Sequence, residues 1–292
     1  MRLLRVSESM VKQIPTLPAI ILLACSVILA LWDTSLFIFH AWSDFRGFHP
    51  HGFLLVGMVI YLLWLSREQW LVQRQEGPMY FWWLWLIGAA SLWVIAWGLD
   101  FRPAEVLGYG AMIFGGCCLL LGPGSFATFG KRAGILLFGI PIWYNLNPIL
   151  QSIAAVVSEN LLFVFGYTVF LEGNSISIPI GTFEVADGCS GLGYLLTNAS
   201  LVTFYMFESD QSVRATIVPF IVAIVLALLI NWLRITLIIA IAYHYGMDHP
   251  IVYDHVWFGW VLYAIVMTPI FIFSVRWLDR QATDKDHSQQ HV

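Results

Sequence analysis

The sequence predicts an all-α polytopic membrane protein of about eight transmembrane helices, with an outer interfacial helix and a short β-hairpin. Three observations predict it. The 292 residues are 59% hydrophobic and 11% charged, with a mean hydropathy of +0.78. A soluble domain carries roughly 25% charged residues, so water is not the main solvent of this chain. Apolar runs near the length that crosses about 30 Å of hydrocarbon, at about 1.5 Å of helix rise per residue, recur along the whole sequence. Lys and Arg fall between alternate runs, as the positive-inside rule requires of a multi-pass protein.

In chain order the runs are Leu17 to Trp32, Gly52 to Leu65, Phe81 to Trp97 and Val106 to Leu121. Phe126 to Trp143, Ser190 to Phe207, Ile217 to Tyr243 and Val256 to Trp277 follow. The second and fifth are short or interrupted; the last three are long and bounded by charges or turn residues. The 14 Trp residues, many near run ends, fit the aromatic belts of a membrane interface. Three basic residues before the first run also fit a signal peptide, but no small-x-small site follows cleanly, and an uncleaved helix is expected. Leu22-Leu23-Ala24-Cys25 is only a weak lipoprotein box.

With eight crossings, Arg2, Arg5, Lys12, Arg67, Arg74, Lys131, Arg132, Arg214, Arg276, Arg280 and Lys285 share one side, and only Arg46 and Arg102 oppose them. Both termini are therefore expected in the cytoplasm. Residues 1–16 form a cytoplasmic segment, 17–278 a membrane domain and 279–292 a solvated charged tail. A net charge of -4 offers no basic patch for nucleic acid. The parity depends on Asn145 to Phe170, where Asn147, Gln151, Ser158 and Glu159 share one helical face; a helix in the outer interface fits that pattern. Gly173-Asn174 and Gly181-Thr182 turn signals around Ser175-Ile176-Ser177-Ile178 then suggest short outer strands.

Cys25, Cys117 and Cys118 lie inside predicted helices, where a small buried apolar residue is the default. Cys189 stands at a boundary, in Asp187-Gly188-Cys189-Ser190-Gly191. Asp187 is expected to cap the next helix and to put Cys189 in its first turn, where backbone N–H groups favour a thiolate. Asp187 and Glu184 oppose that thiolate, so a cation must outweigh them. Arg234, about twenty residues above Arg214 in one helix, is placed near the same outer surface, with Asn231 one turn below it. An Arg near a helix end also snorkels to the interface, but two polar residues on one face of a membrane helix more often line a cavity. His255 opens the last helix on that side. A thiol, a cation and an imidazole on one membrane face suit nucleophilic acyl transfer.

These segments resemble the exosortase/archaeosortase membrane transpeptidases of the bacterial exosortase type. Cys189-Ser190-Gly191-Leu192 is similar to the family's Cys-Ser-Gly nucleophile segment, Asn231 to Arg234 to its NxxR segment, and His255 to Gly259 to its HxxxG segment. His51-Gly52-Phe53 is similar to a further family feature. The resemblance implies a multi-pass enzyme of the bacterial inner membrane, active site facing the periplasm. Its substrates would be membrane-anchored proteins carrying a C-terminal sorting signal of PEP-CTERM type. Cys189 would be the nucleophile, Arg234 the cation aiding thiolate or oxyanion, and His255 the general acid/base, with Asn231, Ser190, Asp187 and Gly191 supporting them. A thioacyl-enzyme would pass to an acceptor whose chemistry, lipid or cell-surface glycan, stays open. No cofactor, metal or nucleic acid is implied. Gly193 departs from the pattern, since many relatives carry Arg there, and the soluble C-terminal extension of some members is not expected.

Two other readings compete. Gly188-Cys189-Ser190-Gly191 also reads as the rhomboid GxSG string, with Ser190 as nucleophile of an intramembrane serine protease and His255 as its partner. A non-enzymatic transporter would use Asn231, Arg234 and His255 to line a pathway. His49 and His51 raise the question of a metal, but no further Cys, His or carboxylate cluster accompanies them in sequence.

Overall fold

The computed structural model describes residues 16–66, 79–122, 126, 130–209 and 211–290. Arg2, Arg5, Lys12, Arg67 and Arg74, on which much of the expected orientation rests, lie outside the described residues, as does nearly all of the expected cytoplasmic segment 1–16. The chain is mostly helical and divides into two compact units, residues 1–44 with 49–144 and residues 45–48 with 145–292.

The first unit begins with α1 (Thr16–Ala30) and α2 (Trp32–Ser43), which meet at a bend of 95°. The predicted first crossing therefore belongs to a bent pair rather than to one straight helix. Leu31 sits outside the helical region at φ -113 and ψ 49. The Ser35 hydroxyl donates to the Ile28 and Leu31 carbonyls at 3.1 and 3.0 Å, which satisfies backbone acceptors exposed at the bend. Next come α3 (Gly52–Leu65), α4 (Met79–Gly98) and α5 (Arg102–Leu121), matching the second, third and fourth runs. At 14 residues α3 is only about 21 Å long. Small residues let α4 and α5 approach closely: a Cβ at Gly108 would lie 2.8 Å from the Trp93 amide nitrogen.

One carboxylate is buried in this apolar unit. Glu105, 1% exposed, accepts from the Thr34 hydroxyl, while Arg102 Nη1 lies 3.1 Å from both of its oxygens. Trp93 Nε1 donates to Thr34 Oγ1 at 3.1 Å and so anchors the bridging hydroxyl. The expected fifth crossing, Phe126 to Trp143, is not one helix. Its described part is a turn at Lys131–Ala133 followed by 3-10 segments Gly134–Gly139 and Pro141–Leu146. Gly130, Gly134, Gly139 and Pro141 break the helical ladder there.

The second unit opens with α6 (Asn147–Val164). Its face pattern reverses that of a soluble helix: Asn147, Ala154, Ala155 and Ser158 are buried, while Ile149, Ile153 and Val156 are exposed. Lipid, not water, suits that surface. Joined to the preceding 3-10 segment as Pro141–Val164, it is long and apolar enough to cross a membrane, so the expected interfacial placement does not follow from its length.

A three-stranded antiparallel sheet replaces the expected hairpin, in the order β1 (Phe170–Glu172), β2 (Ser175–Ile178) and β3 (Gly181–Glu184). Gly173, at φ +60, makes the first turn as expected. Pro179 and Ile180 make the second, so Gly181-Thr182 is strand rather than turn. Three long elements complete the unit: α7 (Leu192–Glu208), α8 (Val213–Tyr245) and α9 (His255–Gln290). The expected solvated tail from residue 279 continues α9 to Gln290. One core joins α6, the sheet and upper α8 through Ala154, Leu162, Ile176, Val185 and Ile239. Another joins α7, α8 and α9 through Tyr194, Ala227, Ile230, Tyr263 and Met267.

Among the described residues, five helices are long and apolar enough to cross a membrane, or six if the α1–α2 pair is one broken span. The count of eight is not reached. Three expected runs drop out, the broken fifth, short α3 and α7, which is only 17 residues long and buries Thr197, Asn198 and Ser200, while Pro141–Val164, not expected to cross, is added.

Candidate active site

The Cys189 segment hangs between the sheet and α7. From β3 the chain passes through Val185, whose amide donates to Asn174 O at 2.9 Å, into a 3-10 turn at Asp187–Cys189 closed by Cys189 N to Ala186 O at 2.8 Å. Cys189 is thus not in the first turn of α7, and Asp187 does not cap that helix. The residue before Leu192 is Gly191, at φ +91, with no side-chain cap. Asp187 turns elsewhere: its Oδ1 accepts from Asn147 Nδ2 at 3.0 Å and Gln151 Nε2 at 2.9 Å, both from α6. Gln151 also donates to the Val185 carbonyl at 3.2 Å. The polar face read from the α6 sequence therefore grips the two residues that bracket the start of the turn.

Asn231 holds the other end, donating from Nδ2 to the Cys189 carbonyl at 2.8 Å. Gly191 is required at this approach, because a Cβ would meet Asn231 Nδ2 at 3.0 Å and φ +91 disfavours any side chain. Gly188 is as constrained, since a Cβ there would lie 2.3 Å from the Arg46 carbonyl oxygen in the 45–48 segment of this unit. The 45–48 segment is thus backbone support for the turn.

Three turns of geometry then bring the predicted trio together. Arg234 lies three residues beyond Asn231 on α8 and is 5% exposed, which excludes a side chain snorkelling to the surface. His255, the first residue of α9, has Nδ1 3.1 Å from the Val252 carbonyl. A ring nitrogen facing a carbonyl carries the proton, so in neutral imidazole Nε2 keeps the lone pair. His255 is within hydrogen-bonding reach of the Cys189 thiol, and Arg234 acts on that thiol mainly through its charge. Burial pushes the Cys189 thiol up, yet the His255 hydrogen bond and the Arg234 charge outweigh it and hold the thiol below its ordinary range. Cation and imidazole, not the helix dipole expected from sequence, favour the thiolate.

A family model for transmembrane exosortase matches residues 42–272. The chain belongs to the transmembrane exosortase family. No curated protein and no solved structure shows significant similarity to it. The matched span of this exosortase contains Cys189, Arg234 and His255, and it includes His51.

Ser190, the rival nucleophile, is 1% exposed, and its hydroxyl oxygen accepts from Leu192 N at 3.2 Å. His51 and His49 belong to the other unit. Their rings stack at 6.1 Å, His51 Nε2 meets the Phe138 carbonyl at 3.2 Å, and burial, first of all, pushes both imidazoles down to about 4. They stay neutral at physiological pH. Among the described residues no three His, Cys, Asp or Glu side chains gather as a metal-binding group.

Sequence reasoning missed Tyr194 and gave no reason for Gly259. Tyr194 accepts from Arg234 Nη1 at 3.1 Å, and the guanidinium sits 5.5 Å from the centre of its ring. A Cβ at Gly259 would lie 2.6 Å from the Tyr194 hydroxyl and 2.7 Å from Arg234 Nη1. The glycine of the HxxxG string leaves room for that pair, one turn beyond His255. Tyr194, five residues after Cys189 in an apolar helix, is the available sequence signal. At Gly193 a Cβ would meet the Phe48 carbonyl at 3.3 Å, so a longer side chain needs the 45–48 segment to shift.

Proposed function

We propose that this exosortase is a cysteine transpeptidase/protease acting on exported, membrane-anchored proteins with a C-terminal sorting signal of the PEP-CTERM type. The observation that carries this reading is the convergence of a thiol, an imidazole and a buried guanidinium at one short turn. The Cys189 thiolate attacks the scissile carbonyl, and Arg234 offsets the charge that moves from sulfur to the oxyanion. As the C–N bond breaks, imidazolium His255 gives its proton to the departing amine. The signal's C-terminal helix leaves, and a thioester remains on Cys189. His255 then takes a proton from an acceptor nucleophile, which forms the new bond to the acyl carbon as the C–S bond breaks. The acceptor is of lipid or cell-surface glycan class; with water in its place the reaction is hydrolysis. The family resemblance is what suggests a bacterial inner membrane; both termini cytoplasmic and this site at the periplasmic face follow from the positive-inside rule when eight crossings are taken and 145–170 does not cross.

The serine reading is disfavoured by the Ser190 hydroxyl being spent on the backbone of α7. A transporter would use Arg234 and His255 but would not need the thiol. Co-expression with a tagged protein bearing a PEP-type signal separates these readings. Processing should be lost in Cys189→Ala and kept in Ser190→Ala, with a substrate thioester trapped on wild type. Loss only in Ser190→Ala would favour the serine protease, and processing in both variants would sink the nucleophile assignment.

A further inference from the structure

We propose that Tyr194 is a positioning residue for Arg234 in the reaction above, a role that rests on that reading. Its hydroxyl fixes one end of the guanidinium without neutralising it. Arg234 Nη1 donates to that hydroxyl at 3.1 Å, while Nε and Nη2 are buried with no hydrogen-bond partner. A carboxylate in the same place would orient the guanidinium equally well but would cancel its charge. A phenol is a neutral acceptor, so the full positive charge stays available to sulfur and to the oxyanion.

Tyr194 is itself tightly held. Its ring, 5% exposed, stacks on Tyr263 at 4.6 Å with planes 23° apart and meets the edge of Trp260 at 5.6 Å. The Tyr263 hydroxyl donates to Asn198 Oδ1 at 2.6 Å, and Asn198 Nδ2 donates to the Ala223 carbonyl at 3.0 Å. Side chains from α7 and α9 are thereby pinned to α8, the helix that carries Arg234. Absence of a side chain at Gly259 completes the arrangement, because a methyl there would push on both partners at once.

The test is the pH dependence of Cys189 alkylation by iodoacetamide, read peptide by peptide on the purified full chain in nanodiscs, with free glutathione as reference thiol. Wild type should show a midpoint below that of glutathione. Tyr194→Phe removes only the oxygen and keeps the stack on Tyr263. It should raise the midpoint by about one pH unit, making alkylation roughly tenfold slower at a fixed pH below it. The same variant should lower kcat for processing and leave KM for the signal peptide near wild type. Gly259→Ala should shift the midpoint the same way and serves if Tyr194→Phe does not accumulate. An unchanged midpoint in the folded variant would overturn the role, even if processing fell, because a merely structural tyrosine moves stability and not thiol ionisation. A wild-type midpoint at or above that of glutathione would overturn the cysteine reading itself and this role with it.

Discussion

Glu105 and Arg234 are both charges buried in apolar helical surroundings, at 1% and 5% exposure, and they are treated oppositely. Glu105 is fully engaged: Arg102 reaches both oxygens and Thr34 donates to one of them. Arg234 donates to a neutral phenol and acts on the Cys189 thiol, and its Nε and Nη2 find no oxygen acceptor. A buried charge that only holds helices together is matched until nothing remains to bind. On the proposed reading, the one that serves chemistry is left incomplete, at a cost in stability, because a partner arrives only with the reaction.

That contrast breaks first at Arg234. Replacing it by Met should lower processing by on the order of a thousandfold or more, while thermal unfolding of the purified variant stays at or above wild type because buried orphan donors are removed. A large fall in unfolding temperature would show Arg234 to be structural. The pH profile is the next largest effect. With its thiol held below the ordinary range, Cys189 should be alkylated in the pH range where a free thiol is still protonated, and reactivity should rise with pH through a midpoint below that of a free thiol. Arg234→Met moves that midpoint up, so alkylation at pH 7 falls about tenfold. Glu105→Leu should do the reverse of the first experiment. It leaves the Thr34 hydroxyl without its Glu105 acceptor and Arg102 with Asp100 alone, and costs about 1–3 kcal/mol of stability, with processing per folded molecule unchanged. Smallest is Gln151→Leu, which frees one side of the Asp187 turn and should reduce kcat by roughly threefold, about 0.7 kcal/mol, measurable as slower thioester formation.

The residues that meet at the site were legible because chemistry is carried by residue type and spacing. Asn231 and Arg234 stand out as polar interruptions in an apolar run, and Cys189 and His255 as chemistry-bearing residues at helix boundaries. What the helix-end argument misjudged was the cause of thiol activation. It assumed α7 begins just after Asp187, whereas the conformation required at Gly191 starts the helix at Leu192. Asp187 was legible as important but not in its role, since its partners Asn147 and Gln151 lie about forty residues away. Tyr194 was invisible because a tyrosine in a membrane helix looks like packing until its hydroxyl has a partner. The count of eight is not matched among the described residues for a different reason. Apolarity measures what a segment can be buried in, not whether its backbone stays helical, and the glycines and Pro141 within 130–141 decide the latter.

Asn231 and Arg234 lie three residues apart on α8, one tethering the Cys189 carbonyl and the other charging its thiol. The tether of the Cys189 turn and the cation beside its thiol therefore ride on a single rigid rod. Membranes differ in thickness, and spanning helices accommodate the difference by tilting, with fractions of a kcal/mol per Å at stake. Tilting α8 carries Asn231 and Arg234 together, so the backbone tether and the guanidinium keep their spacing to each other whatever the thickness of the bilayer.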